Sequence, residues 1–218
     1  MNDPEVWSAI DDQRRCTAEL LEQLSEEEWR HPSLCPGWTV RDVVAHLTLQ
    51  QLQIGDVLTM VLRHPGSLGD MNRMIRVWAR HKAEQPVERL IDELRATVGS
   101  RRSNIGVTNL ETLIDILVHG QDIAIALKCD LVMPTSACVT AATRVRSQLG
   151  TRTGRVFADV GAQRFRFTAT DATWCEGDGP KIRGPIGAIL LLLTGRLAAL
   201  SQLTGPGADE LRSQVVPV

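Results

Sequence analysis

Residues 108–127 read TNLETLIDILVHGQDIAIAL, and this stretch decides the fold because its apolar residues recur at the spacing of an α-helix. Asp115 and His119 stand four residues apart within it, and residues at that spacing share one helix face. A carboxylate oxygen and an imidazole nitrogen on one face suit a divalent metal ion. The stretch therefore predicts a helix that carries part of a metal site. The apolar positions of the pattern include Leu110, Leu113, Ile114, Leu117 and Val118.

A third ligand decides between a metal site and an ordinary surface pair. Aspartate–histidine pairs at this spacing are common on exposed helix faces, so Asp115 and His119 alone favour a solvated pair. His46 changes this balance, because it lies in TVRDVVAHL on a second amphipathic helix, where an unpartnered imidazole would be costly to bury. We therefore take His46, Asp115 and His119 as the candidate metal ligands.

Composition places the chain among ordinary globular proteins. Its 218 residues are 43% hydrophobic and 23% charged, enough for one large domain or a main domain with a small appendage. The net charge of −2 gives no general attraction for phosphate backbones, which argues against nucleic-acid binding. The oligomeric state stays open between a monomer and a homodimer.

Cysteine usage and apolar runs indicate a cytoplasmic protein. The five cysteines are odd in number, widely spaced and without a CxxC pair, which favours free thiols over a disulfide framework. No signal-peptide pattern is present, and the apolar run from Ala188 to Leu193 is too short to span a bilayer. We expect no membrane partner.

Capping residues mark the ends of the two helices that carry the candidate ligands. The segment HPSLCPGW at 31–38 breaks any helix, and Thr39 then caps one expected to reach about Leu62. Thr108 and Glu111 form a capping box for the ligand helix, which should end near Lys128. Further helices are expected at Asp3–Leu24, with Asp3 as N-cap, at Met71–Lys82, from Pro86, and from about Thr135 to Leu149.

The last third of the chain changes character. Arg155–Val160 and Gln163–Thr170 have the β-branched and aromatic residues of a hairpin, and a short strand is expected at Lys181–Arg183. Pro185 begins an apolar helix, and a short helix is expected near 208–212. The sequence predicts a mainly α protein, with a metal-binding helical bundle at 1–150 and a small α+β module at 151–218.

Three segments in this order resemble one protein family. They are CPGWTVRDVVAHL from residue 35, DILVHGQDIAIAL from residue 115 and RFTATDATWCEGDGPKIRGPIGAILLLLTGR from residue 166. Together they look like the mycothiol-dependent maleylpyruvate isomerase family of the DinB/YfiT-like superfamily, over nearly the whole chain. The first two segments are fairly specific, whereas the third is common among short members and says little about substrate.

The resemblance implies a fold, a cofactor and a reaction class. It implies a DinB-like four-helix bundle holding a divalent metal, with zinc first among the candidates, and its ligands fall on His46, Asp115 and His119. It also implies mycothiol as cosubstrate, bound to the metal as a thiolate that attacks an electrophile. The resulting expectation is a mycothiol S-transferase or a cis-trans isomerase. The familiar isomerase pattern has glutamate where this chain has Asp115, and aspartate also binds zinc through oxygen.

Two further residues are candidates for the reaction. Asp122 lies three residues after His119 and could orient a ligand or a water, although an exposed helix carboxylate is an equal interpretation. Arg183, beside the GDGP loop, is chosen for substrate binding over Arg164, Arg166 and Arg196 without a motif to support the choice. Cys35 is interpreted as a free thiol rather than a ligand, and Trp38 as a packing residue.

Two other functions stay open at this point. The chain could be a non-catalytic DinB-like module that binds a small molecule or a protein, with a structural metal or none. It could also be a hydrolase acting through metal-bound water, although the sequence identifies no general base for that reaction.

Overall fold

A computed structural model describes residues 1–51, 71–104, 107–151 and 160–215. Contacts group these residues into two compact units, Asn2–Val132 and Met133–Val218. The boundary falls one helix before the division at residue 150 that the sequence suggests. Compactness does not test whether each part is a domain, so the division into 1–150 and 151–218 stays a prediction.

The first unit is a helical bundle. Its helices are α1 (Asp3–Leu21), α2 (Glu26–Arg30), α3 (Val40–Thr48), α4 (Met71–Lys82), α5 (Val87–Ala96) and α6 (Asn109–Leu127), with a 3₁₀ turn at Leu49–Gln51. Helix α3 packs against α4, α5 and α6, while α1 packs against α5 and α6. Apolar residues on the facing sides of these helices are fully buried, among them Ile10, Val43, Leu90 and Leu117.

The ends of these helices correct three expectations. Asn2, not Asp3, is the N-cap of α1: its side chain accepts a hydrogen bond from the Glu5 backbone, and the Glu5 side chain accepts one from the Asn2 backbone. Helix α1 ends at Leu21 rather than near Leu24. Helix α3 ends at Thr48, and a 3₁₀ turn follows it at Leu49–Gln51. Residues 52–62 of the expected helix lie outside the described residues.

The second unit combines helices with a three-stranded sheet. Its elements are α7 (Thr135–Gln148), β1 (Arg166–Ala169), β2 (Cys175–Glu176), β3 (Lys181–Gly184), α8 (Ile186–Leu193) and α9 (Pro206–Val215), with 3₁₀ turns at Ala162–Arg164 and Leu197–Gln202. The strand order in the sheet is β2-β1-β3. Strand β1 runs antiparallel to β2 and parallel to β3, with Phe167 opposite both Glu176 and Ile182. Helix α8 is apolar and packs against α7.

The sheet differs from the expected hairpin. Residues 155–159, most of its first strand, lie outside the described residues, and residues 163 and 164 belong to a 3₁₀ turn. Strand β1 pairs with β2 and β3 instead. Among the helices in the described ranges, none is long and apolar enough to cross a membrane.

Candidate metal centre

Helix α6 carries three of the candidate side chains on one face. Thr108 caps its first turn by accepting from the Leu110 backbone, and the Glu111 carboxylate accepts from the Thr108 backbone. Asp115 and His119 follow at positions four residues apart, and Asp122 lies less than one turn further on. The opposite side of α6 is apolar and buried, so the polar face is held in a fixed orientation.

Helix α3 supplies His46. Thr39 and Asp42 form the capping box of α3, and Val43, Val44 and Leu47 are fully buried. The loop before α3 is closed by a bridge between Pro32 and Thr39, which holds Cys35 and Trp38 next to the ligand helices.

The two helices bring His46, Asp115 and His119 together. The Nε2 atom of His46 lies 3.4 Å from Oδ2 of Asp115, and the Nε2 atom of His119 lies 3.4 Å from Oδ1. One donor atom from each of the three residues lies within 4.8 Å of the others. Each imidazole therefore faces a different oxygen of the same carboxylate.

Asp122 supports His119 from the other edge of the ring. Its side chain is fully buried, and Oδ2 lies 2.8 Å from Nδ1 of His119. Cys35 also donates its thiol proton to Oδ2, over 3.0 Å. A carboxylate accepts but cannot donate, so this contact assigns a proton to Nδ1 of His119 and leaves Nε2 as the nitrogen that faces Asp115.

Gln50 holds the carboxylate of Asp115 in place. Its amide Nε2 donates to Oδ2 of Asp115 over 2.8 Å from the 3₁₀ turn after α3. Sequence reasoning missed this residue, although Gln50 stands four positions after His46 and would share its face if the helical spacing continued.

Electrostatics in the cluster favour charge separation. Burial alone raises the pKa of Asp115, but the charge of His46 and hydrogen bonds from both histidines outweigh it and hold the pKa well below its usual range. Burial alone lowers the pKa of His119, but hydrogen bonds to Asp115, Asp122 and Cys35 hold it well above the usual value. The cluster is thus an anionic carboxylate facing cationic imidazole, and a divalent cation can take over the positive charge.

Trp38 covers both imidazole rings. Its ring lies 5.4 Å from that of His46 in an edge-on arrangement and 6.5 Å from that of His119, inclined by 15°. The indole is almost fully buried. The expected packing role is consistent with these contacts, and they also limit rotation of the two histidines.

The donor set fits a divalent ion. The hydrogen bonds of 3.4 Å between the imidazoles and the carboxylate are long, since strong charge-assisted hydrogen bonds measure about 2.7–2.9 Å. In addition, Nδ1 of His46 is buried without a hydrogen-bond partner in the described part of the chain, which costs about 1–3 kcal/mol. Two imidazoles and one carboxylate form the usual three-ligand set of a zinc ion that keeps a coordination position for substrate.

Arg183 is not a residue of the first unit. It belongs to β3 of the second unit, its side chain is exposed, and its backbone pairs with Thr204. Its assignment to substrate binding stays a prediction. Asp122 is not the exposed carboxylate of the alternative interpretation, because it is fully buried against His119 and Cys35.

Fold and site together define a helical bundle in which two helices present a cluster of two histidines and one carboxylate. The model of the family described as "Mycothiol maleylpyruvate isomerase N-terminal domain" matches residues 10–124, more than half of the chain. The chain therefore belongs to this family, as its three motifs indicated. All three candidate ligands lie within the matched range.

Two solved structures share the fold. A crystal structure of a mutant mycothiol-dependent maleylpyruvate isomerase has a TM-score of 0.62 at 11% identity, and the match covers 95% of this chain and 94% of that one. A second crystal structure with the same enzyme name has a TM-score of 0.58 at 12% identity, with the same coverage. No curated protein is similar enough to count as a match. The predicted fold class, a helical bundle with a small C-terminal α+β module, is confirmed.

Proposed function

We propose that this protein is a metal- and mycothiol-dependent enzyme, either a cis-trans isomerase or an S-transferase, with His46, Asp115 and His119 as the metal ligands. The observation that carries the proposal is the convergence of three donor groups from α3 and α6 within the part of the chain that matches the family. The cysteines are free thiols, which fits a reducing cytoplasm.

The protein's own residues prepare the centre in three ways. The Nε2 atoms of His46 and His119 face Asp115, which contributes the negative charge, and a bound ion would replace the Nε2 proton of His119. Asp122 holds the Nδ1 proton of His119 and so fixes the ring orientation and tautomer. Gln50 and Trp38 restrict the motion of the carboxylate and of the rings.

A divalent ion in this centre, with zinc first among the candidates, would lower the pKa of a coordinated thiol, so that the thiolate is available at neutral pH. Three protein ligands leave a position for that thiol. The solved relatives are named mycothiol-dependent maleylpyruvate isomerase, which supports mycothiol as the thiol and a conjugated acid as the electrophile.

The two reaction classes share the first bond-forming step. Thiolate sulfur adds to a carbon of a conjugated double bond, which becomes a single bond and can rotate. Elimination of the thiolate then restores the double bond in the trans form and completes an isomerisation. If the adduct is protonated and released instead, the reaction is an S-transfer. We assign binding of the acid's carboxylate to Arg183, because a guanidinium can donate two parallel N–H groups to the two oxygens of a carboxylate.

Metal content and thiol binding, measured on one sample, test the proposal. Elemental mass spectrometry of purified wild-type protein should find about one divalent ion per chain. Calorimetric titration with mycothiol should then show binding. Both should be lost in His46→Ala, whereas His81→Ala, which alters an exposed histidine outside the cluster, should keep both.

Two results would overturn the proposal. A full equivalent of metal in His46→Ala would remove the ligand assignment. Tightly bound metal in the wild type without mycothiol binding would favour a non-catalytic binding module with a structural metal.

A further inference from the structure

The two ring nitrogens of His119 face two different groups of ligand atoms. Nε2 faces Asp115 and His46, the centre proposed above. Nδ1 faces Asp122 and Cys35, whose Sγ lies 3.6 Å from Nδ1. One donor atom each from Cys35, His119 and Asp122 lies within 4.8 Å of the other two.

We propose that Cys35, Asp122 and Nδ1 of His119 form a second metal site, the Cys35 site, for a thiophilic divalent ion such as cadmium or excess zinc. It shares His119 with the proposed centre but requires neither His46 nor Asp115. The proposal goes beyond the reaction, because it assigns a binding property to residues that only position His119 in the first centre.

The distances support coordination by these three atoms. Ligand atoms of a tetrahedral zinc ion lie about 3.3–3.8 Å apart, given metal–ligand bonds of about 2.0–2.3 Å. The Sγ–Nδ1 separation of 3.6 Å is already in this range. The contacts of Asp122 Oδ2 with Sγ, at 3.0 Å, and with Nδ1, at 2.8 Å, must each lengthen by about half an ångström or slightly more. Side-chain rotation of Cys35 and Asp122 can provide such a change.

The two sites differ in their donor atoms and therefore in the ions that they prefer. The Cys35 site contains a sulfur donor, which favours soft ions, whereas the first centre has only nitrogen and oxygen donors. Binding at the Cys35 site releases two protons to solvent, one from the thiol and one from Nδ1, so the ring of His119 becomes an imidazolate when Nε2 also binds an ion. It also breaks both hydrogen bonds to Asp122. The first centre needs neither change, so it should fill before the Cys35 site.

The loop at residues 31–38 leaves the Cys35 site accessible from solvent. Cys35 is partly exposed, and the next two residues, Pro36 and Gly37, are exposed. Asp122 is fully buried in contact with Cys35, so an ion would meet the sulfur before the carboxylate.

The test titrates zinc-loaded, full-length protein with cadmium chloride and follows the ultraviolet charge-transfer absorption of cadmium thiolate. This band reports sulfur coordination only, so cadmium exchange into the first centre does not produce it. In the wild type we expect saturation at about one bound cadmium ion per chain with sulfur coordination. In Cys35→Ser we expect the band to be lost, while circular dichroism and zinc content stay unchanged, because the serine hydroxyl can still donate to Asp122.

Matched variants identify the sulfur and separate the two proposals. Cys16→Ser and Cys175→Ser, which alter exposed thiols, should keep the full band. His46→Ala should also keep the band, even though it loses zinc, so the Cys35 site can be confirmed where the first centre fails. A wild type without the band, a band that persists in Cys35→Ser, or one that disappears in Cys175→Ser would overturn the proposal.

Discussion

At the scale of single residues, Asp122 connects His119 to the loop that precedes α3. Its buried carboxylate accepts from Nδ1 of His119 and from the Cys35 thiol, while its backbone carbonyl accepts from the amide of Leu34. One residue thus fixes both the ring of a proposed ligand and the loop beside it.

We predict that Asp122→Asn weakens zinc binding about 10–100-fold, the usual cost of losing a partner that orients a metal-binding histidine. The amide lacks the negative charge that makes Nε2 of His119 more basic. Competition with a chromophoric chelator measures the affinity. The control is Asp130→Asn, which alters an exposed carboxylate of the same unit and should leave the zinc affinity of the wild type unchanged. Equal affinities in both variants would contradict the role given to Asp122.

Cys138 gives a prediction about pH and stability in the second unit. Burial, with a smaller contribution from Asp171, raises the pKa of this thiol to about 12 from an ordinary value of 9.0. The folded state then keeps its proton between these two values, whereas the unfolded state loses it. Because the native state binds more protons there, the free energy of unfolding must fall as pH rises.

The size of this effect can be isolated with Cys138→Ala. Between pH 8 and pH 10, wild type should lose about 1.4 kcal/mol of stability relative to the variant, since one pKa unit corresponds to about 1.36 kcal/mol. Urea unfolding of both proteins at each pH gives the difference, in which all other titrating groups cancel. A difference that stays constant with pH would show that the thiol titrates normally in the folded protein.

At the scale of elements, the capping boxes of α3 and α6 begin the helices that carry the ligands. In α3, Thr39 accepts from the Asp42 backbone, and Asp42 accepts from the Thr39 backbone and hydroxyl. Thr39→Ala should lower the free energy of unfolding by about 1 kcal/mol, because it removes the hydroxyl that accepts from the Asp42 backbone. Buried apolar residues hold the rest of the helix, which limits the loss. Thr39→Ser keeps the hydroxyl and should cost much less in the same urea experiment. A larger loss in the serine variant would mean that the methyl group, not the cap, is what matters.

Elements defined by local sequence could be predicted, and those defined by distant contacts could not. The N-cap at Thr39, the capping box at Thr108 and the bounds of α4 are confirmed, because caps and helical periodicity depend on neighbours three or four residues away. The start of α1 shifted by one residue, since Asn2 and Asp3 are equally good caps. The parallel pairing of β1 with β3 was missed, because alternation along a strand does not specify its partner.

The candidate site shows the same limit. His46, Asp115 and His119 could be selected from helical spacing and from the cost of burying an imidazole, and the structure brings them together. The contact between Cys35 and Asp122 joins residues 87 positions apart, and no local pattern encodes it. Cys35 was therefore interpreted as an isolated thiol.

At the scale of the whole molecule, the fold is retained at low sequence identity. The solved isomerase structures share 11–12% identity with this chain, yet they match along 95% of it. A bundle core needs apolar residues at the right period rather than particular ones, so most positions are free to change. Polar residues kept inside such a bundle are then the better guide to function, since burying them does not favour folding.

Removal of the metal should destabilise the protein without unfolding the bundle. An ion that binds only the folded state stabilises it by about 2.7 kcal/mol when its free concentration is 100 times its dissociation constant. A chelator should therefore lower the urea midpoint of wild-type protein, and added zinc should restore it. Far-ultraviolet circular dichroism should change little before unfolding, because most side chains buried between α1, α3 and α6 are apolar and their packing does not depend on the ion. His46→Ala, which lacks a ligand, should show no response to the chelator. An equal loss of stability in both proteins would mean that the stabilising ion lies elsewhere than between His46, Asp115 and His119.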